Sequence, residues 1–384
     1  MAVGGFDLQR ARSNFALADS QVYLDHASQG PLPKPSREAY DRYLDRWQSM
    51  DHRHGAELFE SIENVRKNLA ALIDASPDRI GISSTTSYGL NIISAGYPWA
   101  AGDDVVVSDG DFPANIYPWM RLESSDVEIR FAKSKDGFID EDAVISLSDG
   151  RTRVICLSWV QFNNGYRVDL GKLGGFCREN GIILCVDGIQ GTGVIPIDVP
   201  SAHVDLFSCG CQKWMLGPCG TAFFYLSERA EEMIRPPLSG WLSVDWEGEF
   251  TDLLRYRLAP RTGPSRYELG TYPFQDIFAL EASIDLLQSF DRQATWSHIR
   301  SLTGKIIEFV ESDGRYELKS SMEESRRSGI VAIQAADSRK LFSHLTDKRF
   351  AVSFREGSVR VSPHFYNSPD EIESLIESLK HFNE

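Results

Sequence analysis

Short, wholly apolar runs separated by amphipathic stretches set the rhythm of the chain from about residue 80 onward. Ile80-Gly81-Ile82 leads into a hydroxyl-rich turn, Ser83 to Ser87, and then into Tyr88-Gly89-Leu90-Asn91-Ile92-Ile93. This predicts strand, turn and helix in that order. Val105 to Val107 reads as a buried strand, Ala114 to Leu122 as a helix and Val127 to Phe131 as a strand. Val154 to Val160 and Ile182 to Val186 read as strands on either side of a helix, Leu170 to Glu179. Strands alternating with helices predict a mostly parallel sheet covered on both faces, with ligands at the carboxyl ends of its strands.

The pattern changes toward the C-terminus. Phe278 to Phe290 and Trp296 to Ser312 have helical period, Ile330 to Ala335 and Ala351 to Phe354 are strand-like, and Pro369 to Phe382 is an amphipathic closing helix. Helices on a small sheet predict a second domain. The expected fold class is therefore α/β. A three-layer large domain over 21–275 is followed by a smaller α+β domain over 276–384, with residues 1–20 packing against the small domain. A length of 384 residues is enough for two cores.

Charge and composition narrow the function. A formal charge of −15 disfavours nucleic acid and anionic membranes as partners. No apolar run approaches a membrane span, and residues 1–20 carry no apolar leader segment, so the expected address is the cytoplasm. Of the six cysteines, Cys209 and Cys211 form only a lone CxC, so no metal site is expected.

Asp187 ends an apolar strand, and Lys213 follows a second apolar run, just before Gly217-Pro218-Cys219-Gly220. The pair suits a pyridine cofactor. A carboxylate beside the ring nitrogen keeps it protonated, and a lysine at the other end forms a Schiff base with the aldehyde and then shuttles protons. The plain alternative is a helix-capping Asp and a surface Lys. Thr86 and Ser87, where the first helix of the sheet begins, suit a phosphate, although capping alone explains such residues too. Phe112, in the turn after Val105–Val107, suits stacking on a flat ring, or core packing.

Taken together, these segments resemble the class V aminotransferase branch of fold-type I enzymes dependent on pyridoxal 5′-phosphate (PLP). That branch includes cysteine desulfurases, selenocysteine lyase, isopenicillin N epimerase and kynureninase. The similarity runs from about Val22 to the C-terminus, and Tyr23-Leu24-Asp25-His26-Ala27 looks like the opening motif. The resemblance implies that Asp187 partners the pyridinium and Gln190 faces the ring hydroxyl. It makes Gln212-Lys213 the Schiff-base motif and Arg360 the grip on the substrate carboxylate. It also implies that Gly270-Thr271, within Arg266-Tyr267-Glu268-Leu269-Gly270-Thr271, reaches the phosphate of a neighbouring subunit's cofactor, hence a homodimer with a shared active site. Phe112 stands where desulfurases have a stacking His. Gln161 and Asn163 lie where the family bonds the ring hydroxyl, in a departing sequence. Arg355 is either a second anion site or a surface residue paired with Glu356, and His26 either faces substrate as an acid or is a turn histidine.

Desulfurases carry a nucleophilic Cys on a longer C-terminal loop, and no Cys follows Cys219 here. The expectation is therefore aminotransferase-like chemistry at the α-carbon of a small amino acid. A C–S β-lyase or an epimerase (with His26, a tyrosine or His364 as acid) is the alternative, and persulfide-forming desulfuration is excluded. A module that binds PLP without turnover is the alternative from another class.

Overall fold

A computed structural model describes residues 6–16, 21–50, 54–245, 254 and 256–382. A first strand, β1 (Val22–Tyr23), precedes a seven-stranded sheet built from β2 (Ile80–Ser83), β3 (Asp104–Ser108), β4 (Glu128–Ala132), β5 (Thr152–Ser158), β6 (Ile183–Asp187), β7 (Leu206–Gly210) and β8 (Ala222–Leu226). Its order is β2-β8-β7-β6-β5-β3-β4, and every pairing is parallel except those made by β8. Alternate side chains of one strand enter two separate cores. Val106, Ile155, Leu184 and Phe207 lie in one, while Val105, Val154, Ile183 and Leu206 lie in the other. That is the expected three-layer arrangement, with strands apolar on both faces because both are covered.

The small domain holds an antiparallel sheet, β12-β13-β10-β9, made of β9 (Glu317–Leu318), β10 (Val331–Gln334), β12 (Ser353–Arg355) and β13 (Ser358–Val361). Between them, β11 (Phe350–Ala351) pairs in parallel with β1, so the opening motif is stitched to this domain. Helices Arg292–Ser312, Ser338–Asp347 and Pro369–Lys380 supply the rest of its core.

Three expectations need correction. The boundary at 276 falls inside helix Phe274–Gln288, whose Ile277, Leu280 and Ile284 pack in the large core against helices Lys34–Ser49 and His54–Leu72. Of the first twenty residues, Phe6 and Phe15 also join that core, although Phe6 stacks on His298. The helix expected over 114–122 is only Tyr117–Met120 between two 3-10 turns, because Pro113 and Pro118 fix φ and supply no N–H donor.

Candidate active site

The parallel register brings Ser158 and Asp187, at the carboxyl ends of β5 and β6, beside Ser208 in the middle of β7. Helix Thr86–Gly96 starts above this edge. Gly89 allows its close approach, since a Cβ there would meet Ser208 Oγ at 2.3 Å. The N-cap duty falls on Thr85, whose side chain accepts from Tyr88 N. Thr86, one residue later, accepts from Gly210 N at 2.9 Å, which leaves its hydroxyl proton to donate, and Ser87 stands exposed on the same first turn. The two hydroxyls therefore lie beside free N–H groups of the kind that hold a phosphate.

Asp187 is 2% exposed and accepts from Ile189 N at 2.9 Å. Burial raises its pKa to about 7, opposed by that hydrogen bond and by the charge of Lys213. Burial likewise lowers Lys213 to about 8, against the pull of Asp187 and aided by the nearby cations Arg360 and Arg355. The Lys213 Nζ lies 5.8 Å from the centre of the Phe112 ring, which is 42% exposed and meets Phe162 edge-on at 5.2 Å. Gly30 lets the opening loop touch the lysine, because its added Cβ would sit 2.3 Å from Lys213 O, and Gly30 N donates to Gln212 O at 2.8 Å.

Sequence reading missed Asp111. Its carboxylate accepts from Ser158 N (2.7 Å), Ser158 Oγ (2.6 Å), Asn115 Nδ2 (3.0 Å) and Phe112 N (2.7 Å), so it fixes the turn that presents Phe112. Burial raises its pKa despite those bonds, and its field in turn raises that of Asp187. An acidic residue opening a strand-end turn was the available signal.

Several expected site residues belong instead to the frame behind Lys213. Gln190 Nε2 donates to Ala27 O at 3.0 Å, and its Oε1 accepts from Trp214 Nε1 at 2.9 Å. Both ends of the amide thus tie the opening loop to the residue after Lys213. Gln161 is fully buried and braces a loop, accepting from Ile139 N at 2.9 Å and donating to Gly110 O and Gly137 O. Asn163 accepts from Asn164 N at 3.0 Å.

His26 is corrected most clearly. It has no exposed surface, its Nδ1–H donates to Ser362 O at 2.8 Å, and its Nε2 accepts from Tyr366 Oη at 2.7 Å. Burial pushes its pKa well below the usual imidazole value. A ring with both nitrogens engaged has no proton to offer substrate. The same holds for His364, between Trp214 O at 2.9 Å and Phe365 N at 2.8 Å, with its pKa lowered by burial to about 4.

On the substrate side, Arg360 is 2% exposed. It donates to Phe162 O at 2.6 Å, Ser28 Oγ at 2.7 Å and Ser353 Oγ at 3.1 Å, and its pKa is lowered by burial to about 10. Arg355 is exposed, and it too reaches Ser28 Oγ, at 3.4 Å. Gly270 and Thr271 lie farther along, after Glu268, whose carboxylate is locked by Arg66 at 2.6 Å and by Ile82 N at 2.7 Å; Thr271 is exposed. No group of metal-ligating side chains occurs among the described residues.

The shifted pair gives the first prediction. Asp187 sits above the ordinary carboxylate pKa, so between that value and about 7 the unfolded chain binds fewer protons and stability falls as pH rises. Lys213 sits below the ordinary lysine value, so from about 8 upward the unfolded chain binds more protons and stability rises with pH. The pair's contribution to the cofactor-free protein is expected to be lowest between these two pH values. Urea titrations across pH check this, and Lys213→Met should remove the rise at high pH.

A buried carboxylate at a strand end, a lysine of weakened proton affinity in its field, an aromatic lid and a hydroxylated helix start fit PLP, and with this fold they define a fold-type I PLP-dependent enzyme. The Aminotransferase class-V family matches residues 22–375, and the chain belongs to that family. It is 25% identical over 375 residues to the uncharacterized aminotransferase YcbU of Bacillus subtilis, covering 97% of each chain. It is 26% identical over 394 residues to a probable cysteine desulfurase of Methanothermobacter thermautotrophicus, covering 96% of each. Among solved structures, the cystine C–S lyase C-DES in complex with its reaction product, cysteine persulfide, superposes with a TM-score of 0.86. That pair is 21% identical, over 95% of this chain and 99% of the other.

The likeness to probable cysteine desulfurases overturns two expectations: transamination as the main reading, and the exclusion of persulfide-forming desulfuration. The missing cysteine bears only on a persulfide held by the enzyme. When a C–S bond is eliminated from a disulfide, the persulfide stays on the departing product and no protein thiol is needed.

Proposed function

We propose that the protein is a PLP-dependent lyase that breaks the Cβ–S bond of cysteine or cystine, working in the cytoplasm as a homodimer. With water, cysteine would give pyruvate, ammonia and hydrogen sulfide, and cystine would give pyruvate, ammonia and cysteine persulfide. The observation that carries this reading is a buried amine of weakened proton affinity, Lys213, in the field of Asp187 and two arginines. Bound there, the cofactor supplies an electron sink that lets the Cα–H bond ionise and a β-substituent leave.

Arg360 orients the substrate carboxylate through a bidentate fork, with Arg355 beside it for a second anion. Lys213 Nζ takes the proton from Cα, and its weakened proton affinity lets it hand that proton on to the departing sulfur. Asp187 would pair with the ring nitrogen, Phe112 would cover a ring face and exclude water, and Thr86, Ser87 and Gln212 would hold the phosphate. Gly270 and Thr271 serve the neighbouring subunit. Exposed Trp47, Met50, Phe59, Trp241, Tyr256 and Leu258 suit burial between two copies. No helix among the described residues is long and apolar enough to cross a membrane.

The test is to incubate purified holoenzyme with each amino acid and assay pyruvate, sulfide and persulfide sulfur. Equal yields of pyruvate and released sulfur are expected. A pyridoxamine form without pyruvate would overturn the assignment. Cys219 is exposed and the other five cysteines are buried, with burial raising the pKa of Cys156, Cys177, Cys209 and Cys211. Cys219→Ser is therefore expected to keep kcat within about twofold, since no reactive thiolate takes part.

A further inference from the structure

Two polar groups already occupy the place a substrate carboxylate needs at Arg360. Ser28 Oγ accepts from Arg360 Nη2 at 2.7 Å and lies 3.4 Å from Arg355 Nη2, so a neutral oxygen stands where both guanidinium groups converge. Asp25 Oδ1 lies 3.5 Å from the same Arg360 Nη2, yet it is buried and accepts no hydrogen bond. The arginine's direction is set elsewhere, by Phe162 O and Ser353 Oγ. Asp25 therefore acts on Arg360 chiefly through charge. The backbone that carries it is pinned. Leu24 N bonds Ala351 O at 2.9 Å, Ser362 N bonds Leu24 O at 2.7 Å, and a bridge joins Asp25 to Ser362.

We infer that Asp25 and Ser28 are a built-in stand-in for the substrate carboxylate, a specificity device that holds Arg360 until an amino acid displaces Ser28 and outcompetes Asp25 as its counter-ion. An arginine this deeply buried needs a compensating anion when no ligand is bound, and a weakly engaged carboxylate supplies one. The same carboxylate repels any incoming anion that does not bond both guanidinium nitrogens. Only a ligand with a well-aligned planar carboxylate makes that exchange favourable. This rests on the amino-acid substrate proposed above, but not on the fate of its sulfur.

The test uses holoenzyme, calorimetry and two unreactive probes: glycine, which has a carboxylate, and ethylamine, which lacks one. Asp25→Asn keeps the shape and removes the charge. Glycine is expected to bind about tenfold more tightly and ethylamine unchanged, as for removal of one like charge beside the site. The Asn variant should also melt lower when ligand-free and gain more from glycine than the parent does. Ser28→Ala, which decides the matter if the first variant does not fold, should tighten glycine alone by about threefold. Weaker or unchanged glycine binding, or parallel changes for both probes, overturns the inference. Glycine binding as expected, with no pyruvate from cysteine or cystine, would instead leave it standing and sink the lyase assignment.

Discussion

Replacing Lys213 by alanine is expected to lower kcat by about a thousandfold or more, because one side chain serves as both the anchoring nucleophile and the proton carrier. The surroundings explain why no neighbour can substitute. The two histidines expected as candidate acids, His26 and His364, are buried with both ring nitrogens bonded. Arg355 and Arg360 present only hydrogen-bond donors and no acceptor atom to take a proton. Borohydride should fix the cofactor covalently to residue 213 in the parent, seen as a mass shift on that peptide, and should fail in the alanine variant. A small exogenous amine should restore part of the turnover. Retention of full activity by Lys213→Ala would remove Lys213 from the mechanism altogether.

The second large effect is expected at Asp187. Asparagine keeps the bond from Ile189 N but carries no charge toward the ring nitrogen, and a loss of about a hundredfold or more in kcat is expected from removing one preorganised electrostatic contact. The carboxylate is held against its preference: burial raises its pKa to about 7, and Asp111 adds to that shift. An opposite charge on the ring nitrogen relieves this cost, so cofactor affinity should fall together with kcat. Measuring PLP dissociation beside turnover separates this from simple unfolding, since asparagine removes a buried charge and should leave the cofactor-free protein equally or more stable. A variant that binds PLP and turns over like the parent would show that the carboxylate does not face the ring.

The sheet was legible in the chain because strand burial is written locally. Val105–Val107 and Ile182–Val186 became β3 and β6 to within about a residue, as expected when both faces are covered. Strand β8, with five buried residues, went unread because nothing local marks an antiparallel insertion. Helices Lys34–Ser49 and His54–Leu72 went unread as well; they are recognised by their packing on Phe274–Gln288. Asp187 and Lys213 could be picked out because each follows directly on an apolar run. The roles of Gln190, Gln161 and His26 could not, since their hydrogen bonds reach residues far along the chain: Ser362 and Tyr366 lie 336 and 340 positions beyond His26.

By itself, then, the sequence determined the layered α/β class and the family, and it singled out Asp187 and Lys213, because apolar periodicity and motif order are properties of neighbouring positions. Tertiary structure alone decided which polar residues are consumed in the frame. A buried polar group does whatever its partners leave it free to do, and those partners are chosen by folding across hundreds of residues.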